Sequence, residues 1–93
     1  MTDPLAALRK RFRARSANDL ERLKVLMQDD LTGKDLRHLV HSLAGAAGTF
    51  GFPALSEAAA LIDDDYAAGR SPDRSSFDRL ERELIAMTPT GNR

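Results

Sequence analysis

Apolar residues recur at the spacing of an α-helix along most of this chain, and glycine or proline separates each run from the next. The alternating apolar and polar runs that indicate strands are missing, and helix-forming Ala, Leu, Arg and Glu are frequent. The length of 93 residues suffices for one core, so we expect a single domain over residues 1–93. The pattern predicts an all-α fold, an antiparallel four-helix bundle with a possible extra short N-terminal helix.

The first predicted helix runs from about Pro4 to Met27, with Thr2 or Asp3 as its cap. A break into two pieces is considered at the polar stretch 14–18, and this break is the origin of the possible extra helix. The stripe expected to face the core consists of Leu5, Leu8, Phe12, Leu20, Leu23 and Met27.

The second predicted helix runs from about Gly33 to Phe50 and is ended by Gly51. Thr32 is expected to cap it, with Asp35 as the second member of a capping-box-like pair. Its expected core side consists of Leu36, Leu39, Val40, Leu43, Ala46, Ala47 and Phe50.

Pro53 begins the third predicted helix, roughly Ala54 to Ala67, and Gly69 closes it. Ser71 and Pro72 begin the last helix. Together these two helices are expected to bury Leu55, Ala58, Ala59, Ile62, Tyr66, Phe77, Leu80, Leu84 and Met87.

Charge and composition narrow the class of partner. Fourteen basic residues balance fourteen acidic ones, so no net charge draws the chain toward nucleic acid or a membrane. Cysteine is absent, and the N-terminal sequence has no apolar signal core or transmembrane stretch. We expect a cytoplasmic monomer with protein partners, without a metal ion or other cofactor. The basic run from Arg9 to Arg15 is interpreted as mostly solvated, with an acidic protein partner as the alternative.

On a helical wheel, the second helix turns His41 away from its own apolar side. Glycine inside a helix costs roughly 1 kcal/mol against alanine, so Gly45 and Gly48 indicate that another surface comes close to this face. Gly45 lies one turn beyond His41, where a side chain would crowd the imidazole. Lys34 and Arg37 place positive charge near His41. The outer face as a whole carries Lys34, Arg37, His38, His41, Ala44, Gly45 and Gly48.

An exposed histidine with small neighbours and nearby cations suits group transfer. Imidazole titrates near neutral pH, and it is a nucleophile when one ring nitrogen is free and the other is held by a hydrogen bond. Phosphoryl transfer needs little beyond positioning and stabilisation of charge. His41 and its neighbours therefore have the features that a docking-dependent phosphoryl carrier requires.

The segment from His41 to Gly51 resembles the phosphorylation motif of histidine phosphotransfer (HPt) domains. In that motif an apolar residue, a lysine and a glycine follow the histidine at the second, third and fourth positions, and another glycine follows about ten positions on. The positions that agree are His41, Leu43, Gly45 and Gly51, together with Leu55 in the next helix. The resemblance implies a phosphorelay carrier without kinase activity. Such a carrier takes a phosphoryl group from a receiver-domain aspartate and passes it to another receiver, in a response regulator or a hybrid sensor kinase.

The chain departs from the family at one position, because Ala44 stands where the motif has its lysine. The resemblance implies that this lysine helps to neutralise the phosphoryl group, and Arg37 or Lys34 are candidates to replace it. It also implies a polar residue on the following helix that hydrogen-bonds the histidine ring. Asp63 is the residue at that position.

Other interpretations stay open beside this one. A helical adaptor that binds signalling partners without being phosphorylated is favoured by Ala44. A metal site between His38 and His41 lacks a well-placed third ligand. The dimerisation helices of a sensor kinase also present a histidine, but Ser42 stands where they carry an acidic residue.

Overall fold

Four α-helices make up the computed structural model of the chain, which describes residues 3–88. They are α1 (Ala6–Asp29), α2 (Lys34–Phe50), α3 (Pro53–Ala67) and α4 (Arg74–Met87), and no strand occurs within the described residues. α2 and α3 share the most extensive contact, and α1 and α4 complete a closed ring of neighbours. The predicted all-α four-helix bundle is confirmed. None of the helices in this range is both long and apolar enough to cross a membrane.

A single apolar core lies between the four helices. All the residues predicted to be buried in α3 are buried, and Met87 of α4 is half-buried against the core. Burying one large apolar side chain contributes roughly 1.5–3 kcal/mol. The side chains that are almost completely buried include Leu23, Leu36, Val40, Leu43, Leu55, Ile62, Phe77, Leu80 and Leu84.

α1 is one continuous helix, so the break considered at residues 14–18 and the extra N-terminal helix are wrong. Ser16, in the middle of this stretch, is completely buried, and its hydroxyl donates to the carbonyl of Arg13 at 2.6 Å. Its polar group is thus satisfied inside the helix, and the chain has no reason to unwind there.

The beginning of α1 lies outside the core. Leu5 and Leu8 are 38% and 39% exposed, so their predicted burial is wrong. The reason is that Phe12 already packs at the edge of the bundle, and the two leucines lie one and two turns beyond it. The carboxylate of Asp3 accepts the N–H of Leu5 at 2.9 Å, and Thr2, the other predicted cap, lies outside the described residues.

The capping box predicted for α2 is wrong, because Gly33 is the residue that precedes the helix and no side chain caps it. Thr32 uses its backbone N–H and its hydroxyl to donate to Asp30, at 2.9 and 2.7 Å. These two hydrogen bonds lower the pKa of Asp30. Thr32 therefore stabilises the connection between α1 and α2.

Glycine ends α2 and α3, as predicted. Gly51 has a φ angle of +83° and Gly69 has one of +78°, in the left-handed region that glycine enters without steric cost. After Gly51 the chain turns back sharply, with the N–H of Phe52 donating to the carbonyl of Ala47 at 2.8 Å. This tight corner places α3 directly against α2.

Candidate functional site

His41 lies in the middle of α2, and its side chain is 75% exposed. Its neighbours Val40 and Leu43 are completely buried, which fixes the rotation of the helix about its axis. The imidazole is therefore presented to solvent from a rigid element of the core rather than from a loop.

The ring of His41 is held by a carboxylate of the neighbouring helix. Nδ1 of His41 lies 3.0 Å from Oδ2 of Asp63, in the second half of α3. Ala59 and Ile62 on the same helix are completely buried, so the position of Asp63 follows from the packing of α3 on α2. The structure thus brings together the histidine and the carboxylate that the resemblance implied.

Two cations share an open surface depression with this pair. Lys34, Arg37 and His38 line it together with His41 and Asp63. The positive charges lie on the side of His41 that faces the beginning of α2, as the sequence spacing predicted. An anionic group attached to the imidazole would therefore have cations within the same depression.

The side chain of Arg37 makes a cation–π contact, with its guanidinium over the ring of Tyr66 at 5.3 Å from the centroid. Tyr66 is itself buried, and its hydroxyl donates to the carbonyl of Leu31 at 2.5 Å. Burial raises the pKa of Tyr66 to about 12, although the positive charge of Arg37 acts in the opposite direction.

Tyr66 was predicted only to be buried in the core, and its two polar contacts were not predicted. A tyrosine on the apolar side of a helix could have raised the question, because a buried phenol hydroxyl needs a hydrogen-bond partner.

The two glycines of α2 have different surroundings. Among residues 3–88, a Cβ atom added to Gly45 would meet no atom within 4 Å outside its own helix, so this position lies on the open side of α2, one turn after His41. A Cβ atom added to Gly48 would lie 3.2 Å from the hydroxyl oxygen of Ser56 on α3. The close packing of α2 against α3 therefore explains the glycine at position 48.

Ala44 belongs to the same contact between helices. It is half-buried against the core, and its carbonyl accepts the hydroxyl of Ser56 at 3.0 Å. The residue in place of the family lysine therefore lies at the edge of the α2–α3 contact, not on the open part of the face. No group of three or more His, Asp or Glu side chains with metal-binding geometry occurs within residues 3–88.

Almost the whole chain matches a known protein family. A family model described as the Hpt domain matches residues 7–88, from the first turns of α1 to the residue after α4. No curated protein and no solved structure gave a match. The matched segment includes the complete helical core, His41 and Asp63. By this match the chain belongs to the Hpt domain family.

Proposed function

We propose that the chain is a phosphorelay intermediate that carries a phosphoryl group on Nε2 of His41. Hpt domains are phosphotransfer carriers and not kinases, so the group comes from the aspartyl phosphate of one receiver domain and passes to another. Residues 1–93 act as one such domain. The observation that carries the proposal is the exposed imidazole of His41, held at Nδ1 by Asp63 at 3.0 Å.

The contact with Asp63 selects the nitrogen that reacts. When Nδ1–H donates to the carboxylate, the lone pair of the neutral ring lies on Nε2. Nε2 attacks the phosphorus of the aspartyl phosphate, the N–P bond forms, and the P–O bond breaks with its electrons passing to the aspartate carboxylate. The ring gains positive charge during this step, and the negative charge of Asp63 stabilises it.

Lys34 and Arg37 take the role of the missing lysine in this proposal. They line the depression that contains His41, so they stabilise the equatorial oxygens of the phosphoryl group as it is transferred. Phosphoryl transfer also needs the donor to approach in line with Nε2. The free space over Gly45 supports such an approach.

Transfer from a phosphorylated receiver domain tests the proposal. The receiver is labelled with radioactive phosphate, mixed with the chain, and the product is examined for label that acid removes and base does not. We expect His41→Gln to abolish this label, while His38→Gln, a matched change one turn away, keeps it. Circular dichroism should show the same helical content in both variants. Label that survives in His41→Gln and disappears in His38→Gln would reverse the assignment.

An adaptor that binds signalling partners without being phosphorylated is the second candidate, and Ala44 is the observation that favours it. The same experiment separates the two functions. An adaptor would bind receiver domains but would take up no label from any of a panel of phosphorylated receivers.

A further inference from the structure

The beginning of α1 carries a concentration of positive charge that phosphotransfer does not use. No acidic residue occurs from position 4 to position 18, although the whole chain is neutral. Only some of these cations are compensated, since Arg9 pairs with Asp3 and Arg15 pairs with Asp19. The basic residues of the segment are Arg9, Lys10, Arg11, Arg13 and Arg15.

An apolar groove lies beside this charge, between α1 and the end of α2. Phe12 and Phe50 form its floor, with ring centroids 5.7 Å apart, and Leu8 extends it along α1. Phe50 is half-buried and Leu8 is 39% exposed, so apolar surface remains open to a partner. Arg11 and Arg15 form the rim.

The two arginines on the rim differ in their contacts. The guanidinium of Arg15 lies over the ring of Phe12 at 5.3 Å and its Nε is 3.2 Å from Asp19. Arg11 forms no ion pair with any residue in the 3–88 range. The groove thus combines an apolar floor with at least one uncompensated positive charge on its edge.

The groove opens away from His41. Phe50 follows His41 by nine residues, which corresponds to roughly 180° around the helix and about 13 Å along it. A molecule bound between Leu8 and Phe50 would therefore leave the imidazole and Asp63 free for a receiver domain.

We propose that this groove binds an acidic amphipathic helix of a protein partner. Such a helix would place apolar side chains against Leu8 and the exposed part of Phe50, above the buried ring of Phe12, and carboxylates against Arg11. A bilayer fits less well, because the apolar floor is a narrow recess between two helices, and a flat surface reaches it less readily than a side chain does. Binding there would attach the carrier to a partner while it exchanges phosphoryl groups.

The probe for this proposal is a synthetic, fluorescein-labelled helix with leucines on one face and glutamates on the others. A scrambled peptide of the same composition keeps its charge but loses the apolar face. Binding to the full chain is followed by fluorescence anisotropy. We expect the amphipathic peptide to bind at least about tenfold more tightly than the scrambled one, since only the former can bury apolar side chains in the groove.

Four variants locate the binding. Arg11→Glu and Leu8→Ser should each weaken it about five- to tenfold, by reversing charge on the rim and by removing apolar contact. Arg74→Glu makes the same charge change at an exposed position beside Lys24 and Gln28, at the other end of α1, so binding should stay within about twofold of that of the unmodified chain. His41→Gln should bind as the unmodified chain does. Thermal melts check that each variant is folded, and Leu8→Ser tests the groove even if Arg11→Glu does not fold.

Several outcomes would overturn the proposal. Equal binding of the scrambled peptide, or equal losses in Arg11→Glu and Arg74→Glu, would mean general attraction to charge. Absence of peptide binding would also exclude it. Binding to phosphatidylglycerol vesicles without binding to the peptide would assign the groove to an anionic membrane surface instead.

Discussion

Gly45 and Gly48 lie less than one turn apart on α2, yet one faces solvent and the other faces α3. Around Gly45 there is free space next to His41, whereas at Gly48 an added Cβ atom would press against Ser56 at 3.2 Å. Both glycines lower the intrinsic stability of the helix by the same amount relative to alanine. The difference shows that the helix has an open side for an incoming partner and, beside it, a side for packing inside the bundle.

The largest effect is expected from filling the open side. Gly45→Gln should lower phosphoryl transfer from a receiver about 100-fold, because a long side chain one turn from His41 obstructs the in-line approach. Stability should stay the same or rise by a few tenths of a kcal/mol, since glutamine is the better helix former. Labelled transfer and thermal melts on the same sample measure both.

Gly45→Ala is the control for this variant. The added methyl group meets no other part of the described structure, so stability should rise by up to about 1 kcal/mol, and transfer should change little. Unfolding of Gly45→Gln would contradict the open position of Gly45. Normal transfer in Gly45→Gln would contradict the argument that the site needs space there.

A larger residue at Gly48, on the side packed against α3, should lower the stability of the fold rather than the rate of transfer. Gly48→Leu should lower the free energy of unfolding by about 2 kcal/mol, because it overpacks the contact between α2 and α3. Urea denaturation measures this change. The fraction that remains folded should still transfer at the normal rate.

A double-mutant cycle tests whether Ser56 is the reason for Gly48. Gly48→Ala combined with Ser56→Gly should be more stable than the sum of the single changes predicts, by about 1 kcal/mol, since the second change removes the atom in contact. Strict additivity would show that another contact limits the size of this position.

A smaller effect on stability is expected at Tyr66, the buried residue whose ring Arg37 covers. Tyr66→Phe removes the hydrogen bond to Leu31 and should cost about 1 kcal/mol at neutral pH. The pKa of Tyr66 is raised from 10.0 to about 12 in the folded chain, so the unfolded chain loses this proton first as the pH rises. The contribution of Tyr66 is therefore complete below pH 10 and is lost between pH 10 and 12.

Tyr66 is the sole tyrosine of the chain, so ultraviolet absorbance titrates it directly. Stability of the unmodified chain should fall more steeply between pH 10 and 12 than that of Tyr66→Phe, which shares all its other titrating groups. Parallel curves for the two proteins would contradict the assigned shift.

The smallest effect is expected where the family lysine is missing. Ala44→Lys should speed transfer or lengthen the lifetime of phosphohistidine by roughly two- to fivefold, provided that the lysine extends from its half-buried position to solvent. A chase of labelled protein over time measures the lifetime. No change, or slower transfer, would indicate that Lys34 or Arg37 already supplies the charge.

The accuracy of the sequence predictions differs between elements for physical reasons. The apolar periodicity of α3 and the glycines after α2 and α3 were interpreted correctly, because both depend on local geometry. The expected break near Ser16 was wrong, because a polar residue can be buried when its own helix accepts its hydrogen bond. Thr32 was assigned to a cap because the sequence alone did not show that Asp30 would accept both of its donors.

The sequence by itself determined that this chain forms a helical bundle and that His41 faces away from the apolar side of α2. Both follow from local features, namely the spacing of apolar residues and the glycines and prolines at the helix ends. Only the tertiary structure decided which neighbours those faces have. It placed Asp63 at 3.0 Å from His41, Arg37 over Tyr66, and Ser56 against Gly48. Such contacts join residues on different helices and depend on how α3 docks on α2, which no local pattern encodes. Asp63 was anticipated only through the resemblance to Hpt domains.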